Sequence, residues 1–512
     1  MTKDANPELC NSLPKRRRQA GGPIKWSTLK TVSALLVLGA ATAIASPAQT
    51  VTDLLSFDGT NGGLPYAGLV QGTDGNFYGT TYNGGSYGDG TVFKITAAGK
   101  LTTLYSFCPG EICTDGMHPN AGLVQASNGN FYGTTLYGGP NGDGNIFEIT
   151  PAGKLTSIYL FCPQVSICPD GSAPYAGLVQ ASNGRLYGAT TAGGIGSCAQ
   201  EGCGTIFEIT LSGALTTLYS FCSAVNSQGY CADGSTPLAG PVQTANGNFY
   251  GTTEVGGAYN QGTFFEMTPS GRLTTLYSFC AQVDRLGYCT DGSYPLAATV
   301  QTGNGNLYGT TFFGGPSNFG TVYEMTPAGK LTMLHGFCPK PGCADGAEPR
   351  SSLIQATDGN LYGTTSAGGG SGAGTLFEMS PSGKLATIYT FSDSDGNIPN
   401  AGLVQGTSGT FYGTTVYGGS DEDGTVFALS VGLGPFVETR PTSGVVGAEI
   451  FILGNGLRGT TDVSFNGTTA SFTVVSATEI ETTVPAGATS ARVQVTTTKG
   501  TLTSNMPFRV EP

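Results

Sequence analysis

Residues Ala67–Phe107, AGLVQGTDGNFYGTTYNGGSYGDGTVFKITAAGKLTTLYSF, contain four short runs of strand-forming residues separated by glycine-rich turns. The runs are Ala67–Gln71, Asn76–Thr81, Thr91–Thr96 and Leu101–Phe107. Asp74-Gly75, between the first two, supplies the positive φ values of a tight hairpin. In later copies a Pro-x-Gly turn such as Pro151–Gly153 or Pro269–Gly271 joins the third run to the fourth. Proline presets φ there and glycine takes the left-handed position. Each unit therefore reads as a four-stranded antiparallel sheet.

The unit recurs. Tyr-Gly-(Thr/Ala)-Thr appears at Tyr78, Tyr132, Tyr187, Tyr250, Tyr308, Tyr362 and Tyr412, at spacings of 50 to 63 residues. Repeated β-units of this period need neighbours to bury their faces. The chain enters with a lone fourth-type strand, Asp53–Phe57, and leaves with only first, second and third strands, ending at Thr425–Ser430. Joining those complementary fragments hides both sheet edges. The expected fold is all-β, a seven-bladed β-propeller closed through a split blade over residues 49–431. An open solenoid is the alternative.

Charged residues make up 11% of the 512, against roughly a quarter in an average soluble protein. Lys15–Arg18 followed by Thr31–Ala45 reads as the basic and apolar regions of an export signal. Ala43-Ile44-Ala45 or Ser46-Pro47-Ala48 would serve for cleavage, giving a signal peptide of residues 1–48. Removing it leaves 15 of 22 basic and 32 of 34 acidic residues, a formal charge of −17. No basic stripe remains to neutralise phosphates, so nucleic acid is not an expected partner. No other apolar run approaches the roughly 20 residues of a membrane span.

Of thirteen cysteines, Cys10 precedes the apolar region and twelve form sequence-local couples. These are Cys108/Cys113, Cys162/Cys168, Cys198/Cys203, Cys222/Cys231, Cys280/Cys289 and Cys338/Cys343. Five lie between the Phe that ends a fourth strand and the next Asp-Gly, and they are absent where that connection is short. Each couple is expected to staple its own loop, although twelve cysteines allow other pairings. A loop of about six residues gains roughly 2 kcal/mol from such closure. Export and the lack of two-residue spacing argue against zinc.

The runs Ala67–Gly85 and Gly90–Phe107 resemble the GloVer tandem repeat of bacterial exported proteins, and the likeness extends over residues 52–430. That family is defined by sequence, so the resemblance implies location and little chemistry. After the linker Val431–Pro435, residues 435–512 resemble an IPT/TIG domain, an Ig-like sandwich. Pro441–Gly444, Ile452–Leu457, Val463–Gly467 and Ile480–Pro485 carry that likeness. It implies a spacer or interaction module more than catalysis.

In a four-stranded blade the second–third and fourth–first loops share one face. All six cysteine couples are expected there, together with the longest loops. An Asp-Gly pair follows every fourth strand, at Asp58, Asp115, Asp170, Asp233, Asp291, Asp345 and Asp395. Such an aspartate either caps its own turn or contributes to a ring of carboxylates. The seventh unit adds Asp393, Asp421 and Asp423 to Asp395, the candidates for Ca²⁺ if any ion binds; otherwise no cofactor is expected. Tyr82, Tyr137, Phe313 and Tyr417 flank the double glycines, either stacking on sugar rings or packing between blades. His118 and His335 show no triad or metal spacing. The expectation is a secreted, cell-surface or periplasmic recognition or adhesion protein without catalysis, bound to an extracellular polysaccharide or an envelope component. A polysaccharide lyase or hydrolase and a structural envelope component are the rivals.

Overall fold

The computed structural model describes residues 49–163, 168–196 and 202–511. The expected signal peptide and Cys198 lie outside them. Ahead of the repeats runs β1 (Thr50–Ser56). The first complete repeat contains β2 (Val70–Gln71), β3 (Phe77–Thr81), β4 (Thr91–Ile95) and β5 (Leu101–Ser106), antiparallel neighbours in that order. Five further four-stranded sheets copy this order along the chain. A last sheet combines Val404–Gln405, Phe411–Thr415 and Thr425–Ser430 with β1, pairing Thr50 with Ser430 and Ser56 with Thr425. The protein is all-β and propeller-like in its sheets, and no helix among the described residues is long and apolar enough to cross a membrane.

The burial of each strand follows its composition. All five residues of β3 are buried, which suits Phe77, Tyr78 and two threonines flanking a glycine. A Cβ on Gly79 would stand 2.6 Å from the Phe93 ring, so the sheet's interior requires glycine there. The innermost run is shorter than its sequence suggests: only Val70 and Gln71 join the ladder. Ala67–Leu69 instead pack on a neighbouring repeat, where a Cβ on Gly68 would lie 2.6 Å from the Gly402 carbonyl oxygen. Between β4 and β5 the register slips by one residue, with Val92 opposite Tyr105 and Phe93 opposite Thr103. This bulge recurs in the other complete repeats and bends the outer strand.

Aromatic side chains join successive sheets. Tyr78 stacks on Phe131 at 4.0 Å, and Phe107 meets Phe147 edge-on at 5.3 Å. Phe77 lies 3.9 Å from Tyr412 and ties the first repeat to the last. Two series of polar latches accompany them. Gln125 accepts a hydrogen bond from the Thr73 N–H, and the same bond recurs from Ser127 to Gln180, Ser182 to Gln243, Ala245 to Gln301, Gly303 to Gln355, Thr357 to Gln405 and Thr407 to Gln71. On β3, Thr80 donates to the Ala121 carbonyl, as do Thr134, Thr252, Thr310, Thr364 and Thr414 to their counterparts. The third repeat has Ala189 at that position and makes no such bond.

Residues from Glu438 onward form a sandwich of a four-stranded and a five-stranded sheet around Val437, Ile450, Ile452, Val463, Phe465, Ile480, Val493 and Phe508. The sandwich rests on the first–second turns of the repeats. Thr478 donates to the Thr73 carbonyl, Arg440 to Gln125 Oε1, Asn455 to Thr407 Oγ1 and Arg509 to the Ala245 carbonyl.

Candidate functional site

One cavity of about 380 Å³ is lined by equivalent segments from every repeat. Its wall is built from the innermost runs, which are small and apolar: Ala67-Gly68-Leu69, Ala121-Gly122-Leu123 and their counterparts. Residues Glu438–Ser443 of the sandwich line a second cavity that shares Leu123, Leu178 and Val179 with the first. The sandwich thus adjoins the innermost runs of the first four repeats on the turn face. The residues that follow the loop prolines line the loop-face end of the first cavity, its mouth.

Each segment follows a loop that runs from Asp-Gly to a proline, as Asp-Gly-x-x-Pro in six repeats and over the longer Asp58–Pro65 in the first. The residue before the proline is left-handed and not glycine in every repeat: Leu64, His118, Ala173, Thr236, Tyr294, Glu348 and Ile398 have φ between 51° and 57°. A side chain in that region costs roughly 1–2 kcal/mol and persists only when its surroundings hold it. Here two backbone bonds do so. The His118 N–H donates to the Asp89 carbonyl and its own carbonyl accepts from Leu136, a pattern repeated at the other six positions. Seven identically held backbones therefore present seven different side chains.

Asp58 caps its own turn, accepting from the Asn61 N–H and the Thr60 hydroxyl, whereas the aspartates of the other six loops bind the preceding fourth strand. Asp115 accepts from the Tyr105 hydroxyl at 2.8 Å and from the Cys108 N–H. Asp170 and Asp291 bind Tyr159 and Tyr277 in the same way. Burial and the bond to Asp233 push the Tyr219 hydroxyl up to about 12, so it remains a donor. His335 stands where the other repeats have tyrosine, and its Nε2 meets Asp345 at 2.9 Å. The replacement preserves the contact, which was not evident from the sequence.

The four Ca²⁺ candidates are spread over separate contacts. Asp395 accepts from the Tyr389 hydroxyl and from the Ser392 N–H and hydroxyl. Asp393 accepts from the Asn397 amide and Asp421 from the Ser420 hydroxyl. Asp423 lies against Gly59 and Gly63. Burial first, then the nearby Asp421 and Asp58 carboxylates, push its carboxyl up.

Disulfides Cys108–Cys113, Cys162–Cys168, Cys222–Cys231, Cys280–Cys289 and Cys338–Cys343 close their own loops. For the sixth couple, Cys198 is not among the described residues. Cys203, Cys222 and Cys231 converge within 4.8 Å, but all three are disulfide-bonded and offer no thiolate to a metal. Fourth–first and second–third loops do meet on one face, through bridges such as Met117 to Tyr137 and Asn397 to Tyr417.

Of the aromatic candidates, Tyr82 and Tyr417 gather at one arc of the mouth with Tyr66. Tyr82 stacks on His118 at 4.4 Å and meets Tyr66 edge-on at 5.3 Å. Burial and a hydrogen bond with Tyr417 push the Tyr66 hydroxyl up to about 12. Tyr137 stands 6.2 Å from His118 and is 43% exposed. Phe313 belongs to a different arc, against Phe312 at 4.3 Å and Tyr294 at 6.1 Å. The sequence reading passed over the residues nearest the cavity. These follow the loop proline and are Tyr66, Asn120, Tyr175, Leu238, Leu296, Arg350 and Asn400. Their signal is a register, just after a constant proline, at which the repeats disagree in chemistry.

Against known families, the Gloeobacter/Verrucomicrobia repeat matches residues 37–232, 114–288, 202–427 and 285–469. The chain belongs to that family. An IPT/TIG domain matches residues 437–510 of this repeat protein. No curated protein matches it. Among solved structures it is similar to a fungal alcohol oxidase of the AA5 family in complex with copper, at 11% identity and a TM-score of 0.48, covering 90% of this chain and 99% of that one. A putative 6-phosphogluconolactonase from Bacteroides uniformis is 14% identical at a TM-score of 0.39, covering 63% and 83%. A putative gluconolactonase is 12% identical at 0.34, covering 75% and 92%. No activity is carried over from these three.

Proposed function

We propose that this repeat protein is an exported, non-catalytic recognition or adhesion protein that binds an extracellular glycan at the loop-face mouth. In this reading the sheets are seven blades of one closed ring, completed by the pairing of β1 with the last repeat, over residues 49–431. Residues 1–48 act as a cleaved signal and residues 435–512 as the TIG sandwich. The Gln71–Thr407 bond and the Phe77–Tyr412 contact support closure. Five disulfides fit an oxidising compartment outside the cytoplasm.

The observation that carries the function is the mouth itself. A repeated backbone holds divergent side chains around a pocket, and the sandwich adjoins the wall of that pocket on the turn face. Binding sites are typically loops of this kind on a fixed scaffold. Tyr66, Tyr82 and Tyr417 offer flat faces with hydroxyls at their edges, a chemistry suited to sugar rings. Tyr137, and Phe313 on the second arc, extend that surface. Ca²⁺ at Asp393, Asp395, Asp421 and Asp423 is not required by it.

The test is retention of the purified, signal-free protein on immobilised polysaccharides, with the chain length of the polymer followed in parallel. The expected result is retention with unchanged length. Depolymerisation would replace this reading with a lyase or hydrolase. Failure to retain any glycan, with tight association to envelope fractions instead, would make the protein a structural envelope component.

A further inference from the structure

We propose that the mouth recognises the carboxylate of an acidic sugar residue, with Arg350 as the group that reads it; this deepens the saccharide reading above and rests on it. Arg350 is the one charged side chain among the seven that follow the loop prolines. Its guanidinium carbon lies 4.3 Å over the Phe312 ring, which sets its plane beside the cavity. It is exposed, and no carboxylate of the described residues lies within 4.0 Å of it. By contrast Arg185, Arg440 and Arg509 each hold a glutamate. The cavity wall contributes no Asp or Glu that would compete for it.

The rest of the rim suits the remainder of such a ligand. Tyr66 and Tyr175 bring aromatic faces and hydroxyls, Asn120 and Asn400 bring amides, and Leu238 and Leu296 bring apolar surface. A planar guanidinium matches a planar carboxylate through two parallel N–H···O bonds. The rim supplies a single cation, which offsets a single negative charge and not the near-double charge of a phosphate monoester. General charge attraction plays no part. The chain without its signal carries a formal −17 and repels polyanions at long range, so affinity for an acidic glycan must come from the site.

The experiment measures, by calorimetry on the full signal-free protein, binding of uronic-acid oligosaccharides, of the same oligosaccharides with carboxyls reduced to alcohols, and of sulfated neutral oligosaccharides. Loss of a charged, two-point hydrogen bond is worth about 10–100-fold in affinity. The expected result is preference for the uronate by that factor. In Arg350→Gln the preference disappears while binding of the reduced form persists. Arg350→Lys retains part of it, and Arg272→Gln on the opposite face retains all of it. Equal melting temperatures for Arg350→Gln and the parent protein exclude misfolding as the cause. Equal binding of acidic and reduced forms would overturn the proposal and leave the saccharide reading standing. A preference that survives Arg350→Gln would overturn the role of Arg350, and sulfated ligands bound as tightly as uronates would overturn the choice of carboxylate. Failure of every oligosaccharide to bind would remove the saccharide reading itself.

Discussion

The two faces of the repeat array are built on opposite rules. On the turn face the same residues recur: Gln71 and its six counterparts reach into the neighbouring turn, and the C-terminal sandwich rests on the result. On the loop face the backbone recurs while the side chains on either side of the loop proline do not, as the left-handed positions from Leu64 to Ile398 show. Constancy on the turn face serves assembly, because a latch between neighbours is needed at every seam. Divergence at those positions is tolerated because backbone bonds, the recurrent aspartate contacts and the disulfides, and not the varying side chains, hold those loops in place. Substitutions should therefore cost stability on the turn face and ligand binding on the loop face.

The largest effect is expected at the seam between the first and last repeats. Gln71→Leu strands the N–H of Thr407, a residue that is 1% exposed and is covered by Asn455 and Phe436 of the sandwich. An unpaired buried donor costs about 1–3 kcal/mol. Gln301→Leu removes the same bond from Ala245, which is exposed and can turn to water. Its cost should be about 0.5 kcal/mol. Urea unfolding of the two variants checks the difference. Equal losses would mean that the sandwich leaves the first–last seam no more enclosed than the others.

A middle-sized effect tests the turn-face rule by completing it. Ala189 occupies the place of the threonine that elsewhere donates to the neighbouring repeat. Ala189→Thr supplies the missing donor to the Ala239 carbonyl and should add about 1 kcal/mol, read as a raised unfolding midpoint. A lowered midpoint would show that the third seam has closed over the smaller side chain and is overpacked by the larger one.

The unequal legibility of the two faces in the sequence has the same origin. Strands and turns were readable because Asp74-Gly75, Pro151–Gly153 and the Tyr-Gly-Thr-Thr runs act locally and recur in register. The pairing of Cys108 with Cys113 was readable for the same reason, since its loop spans five residues. The mouth was not. Tyr66, Tyr175 and Arg350 are far apart in the chain and meet only through the packing of whole repeats, so no spacing announces them. His335 shows no triad or metal spacing in the sequence, and its partner Asp345 emerges only from the folded loop. Asp393, Asp395, Asp421 and Asp423 come from two loops, and each has its own local partner, a detail that composition does not carry.

The smallest effect concerns Glu254, the only charged residue at its register. The equivalent positions are Tyr82, Leu136, Thr191, Phe312, Ser366 and Val416. Burial raises its carboxyl above the usual range. A group whose folded value is raised favours the folded state fully below its unfolded value and loses that contribution as pH rises through the folded one. At neutral pH the ionised Glu254 is therefore a small liability, discounted because the side chain is partly exposed. Glu254→Gln should be more stable than the parent protein at pH 7 by about 0.5 kcal/mol or less, and indistinguishable from it below about pH 4. Thermal melts of both proteins across that range measure the difference. A variant less stable at pH 7 would show that Glu254 serves the scaffold through its charge, and the division between a constant supporting face and a freely varying one would fail at that position.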